Sequence, residues 1–202
     1  MLRHTTSTGT EKKVFVGSPY RSQAIFGAQG QQLIPTIKQD LCGTTGLSAC
    51  VVVMPPGRIA RPHLHAYSDI IVVVIEGFAA SLIGPELKPI FHGPGEFIFI
   101  PAGVMHVAVN LSTARRLIAI ETRTDPNFNE DVVVTPQHDE QTKAVVAELH
   151  KKFADGTLEV PAHWDLTDVG PFTFVDEEMP AAQRPVQSNH SRRPTMRFFG
   201  DS

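Results

Sequence analysis

The stretch Gly57–Asp69, GRIARPHLHAYSD, runs straight into an apolar segment, DIIVVVI, and sets His63 and His65 two residues apart. A second stretch, Gly95–Asn110, GEFIFIPAGVMHVAVN, supplies His106. Alternate side chains of a strand project to the same face, so His63, His65 and Asp69 are expected to face one way. His106 meets them if the second stretch pairs alongside the first. Three imidazoles and a carboxylate converging inside β-structure are a mixed nitrogen and oxygen site for a divalent transition metal.

The two stretches resemble the paired motifs of the cupins, a family of small β-barrels. The first cupin motif reads G-x5-H-x-H-x3,4-E-x6-G, and Gly57, His63, His65 and Gly77 fit it. Asp69 stands at the acidic position, with seven residues rather than six between it and Gly77. The second motif reads G-x5-P-x-G-x2-H-x3-N, and Gly95, Pro101, Gly103, His106 and Asn110 fit it throughout. The resemblance covers roughly residues 45 to 122 and holds one motif pair. It implies an all-β fold, a double-stranded β-helix (jelly-roll barrel), and one metal held by His63, His65, Asp69 and His106. It also implies open coordination positions, as a catalytic metal needs. Fe(II) is the favoured ion; Mn(II), Zn(II) and Ni(II) suit the same donors.

Asp69 is one methylene shorter than the family's glutamate. It is therefore read as a direct ligand, as a ligand through water, or as a group orienting a ligand imidazole, with a site of three histidines alone as the remaining alternative. Arg61 and Tyr67 share the parity of the histidines, so they are expected to face the cavity. Arg61 would clamp a substrate carboxylate; the alternative is a rim arginine in a surface ion pair. Tyr67 and Asp69 are the acid–base candidates. Phe97 and Phe99 share one strand face and Ile98 and Ile100 the other; one set fills the barrel, and the phenylalanines are the expected substrate wall. Pro101-Ala102-Gly103 shapes the turn that delivers His106.

Bulk properties bound the rest. The chain has 202 residues, 42% of them hydrophobic, enough for one cored domain with an appendage. Its net charge is −3, against a nucleic-acid binder, which needs a basic face. No apolar run approaches the 20 or so residues of a membrane span. The N-terminal MLRHTTSTGTEKK carries no apolar signal core, so a cytoplasmic location is expected. Cys42 and Cys50 match no zinc or redox spacing and read as small, reduced, buried residues.

Along the chain, residues 1–30 read as an N-terminal arm, 31–125 as the barrel, and 126–202 as an extension. Short Val-, Ile- and Phe-rich runs punctuated by Gly, Pro, Asn and Ser predict strands over 48–54, 69–75, 78–83, 87–91, 97–100, 105–110 and 116–121. Residues 132–134 suggest an isolated strand. Asp139 is the expected N-cap of a helix whose stripe is Val145, Val146, Leu149 and Phe153. Residues 157–175 are expected to pack, and a Pro-, Gln- and Arg-rich tail follows from Asp176. Val72–Ile75 is apolar on both faces, which calls for cover outside the barrel. A homodimer or larger symmetric oligomer, with Val14–Val16 as an exchanged edge strand, is the expected source. The alternative is a monomer wrapped by residues 157–175.

The favoured function is a dioxygenase-type oxidoreductase acting on a small organic molecule. The alternatives are a metal-assisted isomerase, lyase or decarboxylase, and a cupin that binds metal or ligand without turnover. The motifs name a metal site, not a reaction.

Overall fold

A computed structural model describes residues 13–166. Eleven short strands form two antiparallel sheets. In chain order they are β1 (Ile25–Phe26), β2 (Gln32–Ile37), β3 (Ser48–Met54), β4 (His63–His65), β5 (Ile70–Glu76), β6 (Ala79–Ile83), β7 (Lys88–His92), β8 (Phe97–Ile100), β9 (His106–Asn110), β10 (Leu117–Arg123) and β11 (Val132–Val134). One sheet has the order β1-β2-β3-β10-β5-β8, the other β11-β4-β9-β6-β7. This is the jelly-roll architecture expected for the chain. A single turn, α1 (Gln39–Cys42), follows β2, and a longer helix, α2 (Asp139–Ala154), follows β11.

The strands arise where alternation meets punctuation. β3 buries Ser48, Cys50, Val52 and Met54 and leaves the intervening residues half-exposed. β10 likewise buries Leu117, Ala119, Glu121 and Arg123. Between β5 and β6, Gly77 adopts φ 85°, and a Cβ there would lie 2.7 Å from the Arg116 carbonyl oxygen. Any other residue would clash as well as strain the backbone.

β6 buries both faces. Outward, Ala80 and Leu82 join Val107, Val109 and Leu111 in a core closed by Val146 and Leu149 of α2. The predicted helix stripe is thus the covering face, with Val145 and Phe153 beside it. Trp164 and Leu158 pack on the same cluster, so the described part of the 157–175 segment lies on this sheet. The remainder of that segment and the tail from Asp176 lie outside the described residues.

Several expectations change. Asp139 is already helical, and His138 precedes it as the cap. β11 is not isolated but pairs with β4. β2 has no counterpart in the predicted strands: Ile34-Pro35 excludes a helix, yet Pro35 sits in a strand beside a register shift, where a missing N–H is tolerated. Val14–Val16 forms no strand, and Val14 is 98% exposed. Both cysteines are free; Cys50 is buried and Cys42 only partly so.

Candidate metal centre

β4 lies between β11 and β9, and His63 pairs directly with His106 across the β4–β9 ladder. Paired residues share a face, so the two short strands aim three imidazoles into the barrel. Gly103 makes the delivery possible: its φ of 77° turns the chain, and its N–H donates to the His65 carbonyl at 2.7 Å. Asn110 fixes the far end of β9, where its side chain donates to the carbonyls of Met54, Pro55 and Arg115.

His63, His65 and His106 are all buried, with one ring nitrogen of each within 4.8 Å of the others. The free nitrogen is the same in every ring. His63 Nδ1 lies 2.8 Å from the Arg61 carbonyl, and His106 Nδ1 lies 3.0 Å from the Val104 carbonyl. A carbonyl only accepts, so each Nδ1 carries the proton and each Nε2 is left with a lone pair. His65 Nδ1 reaches Asp131 Oδ1 at 3.0 Å with the same consequence. Burial lowers the pKa of all three rings, well below the ordinary value for His63 and to about 4 for His106, although a bond to a backbone carbonyl opposes the shift in both. Three neutral, oriented imidazoles with open Nε2 atoms are a donor set that fits a divalent transition metal.

Asp131 is the residue the sequence did not disclose. It immediately precedes β11, whose Val132 pairs with His65, so the ladder itself carries the carboxylate to that imidazole. The backbone N–H groups of Tyr67 and Ser68 donate to its other oxygen. Burial alone would raise the Asp131 pKa, but the bonds from Ser68, His65 and Tyr67 outweigh it and hold the carboxyl below its ordinary value.

Asp69 is not brought to the histidines. It is exposed, and its Oδ1 accepts from the Ala102 N–H at 3.0 Å, bracing the turn before His106. Parity passes along a strand only while the strand is continuous, and residues 66–69 break it. β5 restarts at Ile70, which faces inward at 2% exposure. Six residues separate Ile70 from Gly77, the spacing the family gives its glutamate, so an apolar sec-butyl group occupies the carboxylate's place.

The same break displaces Tyr67, which is 62% exposed. Arg61 is also exposed and approaches Asp139 at 3.5 Å rather than entering the cavity. Phe97 and Phe99 are 72% and 59% exposed, and their neighbours Ile98 and Ile100 fill the barrel instead.

The cavity beside the histidines holds about 40 Å³ of space for the centres of water-sized molecules, room for a few such molecules. Val52, Val72, Val74 and Leu117 give it apolar walls, and Glu121, Ser81 and His92 interrupt them. Glu121 is 7% exposed and pairs through Oε1 with Arg123. Arg123 in turn bonds Asn129 at 2.7 Å and lies over the Phe128 ring. Glu121 was legible in part: on β10 it sits on the face of Leu117 and Ala119, where a carboxylate is out of place unless it is used or paired.

Residues 50–121 match the family model described as Cupin domain. This chain carries a cupin domain. No curated protein matches the chain. Among solved structures it is similar to a conserved double-stranded β-helix protein from Klebsiella pneumoniae, at 17% identity over 62% of this chain and 98% of that one, TM-score 0.47. It is also similar to oxalate decarboxylase from Lactobacillus farciminis, at 17% identity over 64% and 39%, TM-score 0.50. A third is DMSP lyase DddQ from Ruegeria pomeroyi, at 23% identity over 59% and 62%, TM-score 0.48. Such identities speak for the fold alone. Among the described residues, no helix is long and apolar enough to cross a membrane.

The two aspartates separate cleanly by experiment. Asp131→Ala is expected to weaken metal binding about 10- to 100-fold, the usual cost of losing the group that orients a ligand imidazole. Asp69→Asn is expected to leave it unchanged. Competition with a chromogenic chelator measures both, and a large loss in the Asp69 variant would return that residue to the site.

Proposed function

We propose that this cupin is a metal-dependent enzyme that moves a proton on a small organic acid, in the isomerase, lyase or decarboxylase class. The supporting observation is buried Glu121, which lines the same cavity as His63 and His106 of the three-histidine cluster. His63, His65 and His106 would hold the ion through Nε2, and a bound divalent metal supplies Lewis-acid polarisation of a substrate oxygen. Oε1 of Glu121 is engaged by Arg123, so Oε2 is the atom that takes or gives the substrate proton. Arg123 holds that carboxylate in place. The apolar walls exclude water from the reacting carbon.

A dioxygenase with Fe(II) is the second reading. It is favoured by the purely imidazole donor set, with Ile70 where a carboxylate ligand would stand, which leaves positions for two small ligands. Assays on a panel of small acids, with and without oxygen, distinguish the two. Proton chemistry gives turnover and solvent deuterium uptake under anaerobic conditions; oxygenation gives product only with matched O₂ consumption. Metal binding without turnover in either arm would leave a non-catalytic binding cupin.

Assembly belongs to the same proposal. The outer face of the first sheet carries an uncharged register row, Phe97–Val73–Ile120–Val51–Ile34, running across five strands. Phe99 pairs with Ile71 beside it, and both are exposed. The other sheet has α2 as cover, but within the described residues this face has no comparable layer. A second copy, docked face to face about a two-fold axis, would bury the row against itself. Sedimentation is expected to show a dimer that Phe97→Lys with Ile120→Lys dissociates. A single wild-type species at the 22.1 kDa chain mass would defeat it, and with it any exchange of Val14–Val16.

A further inference from the structure

A second polar group stands in the cavity, away from the histidine cluster. Ser81 Oγ and His92 Nε2 are 3.0 Å apart, and both residues are buried. Along the β6–β9 ladder, Ile83 is opposite His106 and Ser81 is opposite Ala108. Ser81 therefore lies one inward-facing rung from His106, about 7 Å along the strand. Val74, Ala79, Ala108 and Leu117 line the same cavity and neither donate nor accept; Gln31, which also lines it, directs its side-chain N–H to Met54 Sδ.

Which way this pair is polarised follows from what His92 lacks. Its Nδ1 is enclosed and has no hydrogen-bond partner among the described residues. A buried N–H without an acceptor is rarer than an unused lone pair. The proton therefore belongs on Nε2, which donates to Ser81 Oγ. With an acceptor site of Oγ so occupied, the Ser81 hydroxyl proton is directed elsewhere, and no protein acceptor takes it among the described residues. Burial outweighs the opposing Glu96 charge and lowers the His92 pKa to about 4, which keeps the ring neutral and this polarity in place.

We propose that Ser81, held as a donor by His92, recognises an acceptor oxygen on the substrate, one rung deeper than the three histidines. The substrate class is then a short oxo acid or diacid. Its acid group lies at the histidine cluster, and its second oxygen, a ketone or carboxylate, accepts from Ser81 Oγ. This rests on the small-acid reading above and narrows it. Ser81 is a specificity-determining residue here, and His92 is the residue that positions it.

Two arms test the proposal on the full chain. In the first, zinc-loaded protein is titrated with 4-oxopentanoate and with its carbon isostere 4-methylpentanoate. The wild type is expected to prefer the oxo acid about tenfold, the worth of one hydrogen bond. Ser81→Ala should bring the two to within about twofold while the affinity for 4-methylpentanoate stays unchanged. Equal binding by the wild type, or a preference that survives in Ser81→Ala, overturns the proposal. If neither acid binds, the small-acid reading fails, and the second arm judges the subsite alone. There, metal-free protein with ¹⁵N-labelled histidine is titrated with acetone, a carbonyl acceptor without an acid group. The His92 ring signals are expected to shift in the wild type and to stay fixed in Ser81→Ala. Wild-type signals that do not move show a pair that serves only the barrel's packing or an ordered water, and overturn the proposal whatever the acids do.

Discussion

His106→Ala protein is expected to emerge from purification nearly free of divalent metal, while the wild type carries close to one ion per chain. His63→Ala and His65→Ala should behave alike. Each removes one of three Nε2 donors from a cluster that has no carboxylate ligand in reserve, because Ile70 fills that place and Asp69 faces outward. The loss should exceed the roughly 10- to 100-fold that removal of an outer partner costs. Each substitution also strands a partner: the Arg61 carbonyl for His63, the Val104 carbonyl for His106 and the Asp131 carboxylate for His65. An unpaired buried acceptor costs about 1–3 kcal/mol, so thermal midpoints should be recorded beside elemental analysis to separate lost metal from lost fold. A folded His106→Ala protein that kept its full metal content would move the site elsewhere in the molecule.

What the sequence disclosed of this site, and what it withheld, follows from how far local rules reach. The three histidines were legible because both motifs place them on strands and because Pro101 and Gly103 announce the turn before His106. Strand parity failed across residues 66–69, where the backbone leaves the strand, and so misplaced Tyr67 and Asp69 together. The motif's six-residue gap before Gly77 falls on Ile70, but an apolar residue at a ligand position does not suggest itself. Strand parity separates Phe97 and Phe99 from Ile98 and Ile100 without saying which pair turns inward; in β8 the isoleucines do so, and the rings expected to wall the substrate lie on the outer face proposed to meet a second copy. Asp131 was beyond reach, since its role depends on β11 pairing with β4, a contact made across more than sixty residues of chain. Glu121 and Arg123 lay within reach, because charged groups on the buried side of an alternating strand must find partners.

Glu121→Gln tests the chemistry. The substitution keeps the side chain's size and an oxygen for Arg123, and removes the group that can take a proton. If Glu121 moves the substrate proton, kcat should fall about 10²- to 10⁴-fold, the usual contribution of a positioned acid or base. Metal content should not change, because the three histidines are untouched. The stability cost needs its own control. Removing the charge partner of a buried arginine costs about 3–5 kcal/mol, so a lower thermal midpoint is expected. Glu121→Asp serves there: it keeps the negative charge for Arg123 but withdraws the carboxylate from the substrate by one methylene. A protein-wide loss would be relieved by aspartate, whereas a proton-transfer defect would persist in a variant that is folded and fully metallated. Unaltered anaerobic turnover in Glu121→Gln would reduce Glu121 to the counter-ion of Arg123. Turnover that required oxygen in both proteins, with Glu121→Gln unimpaired, would transfer the assignment to the dioxygenase reading, in which this carboxylate has no step to perform.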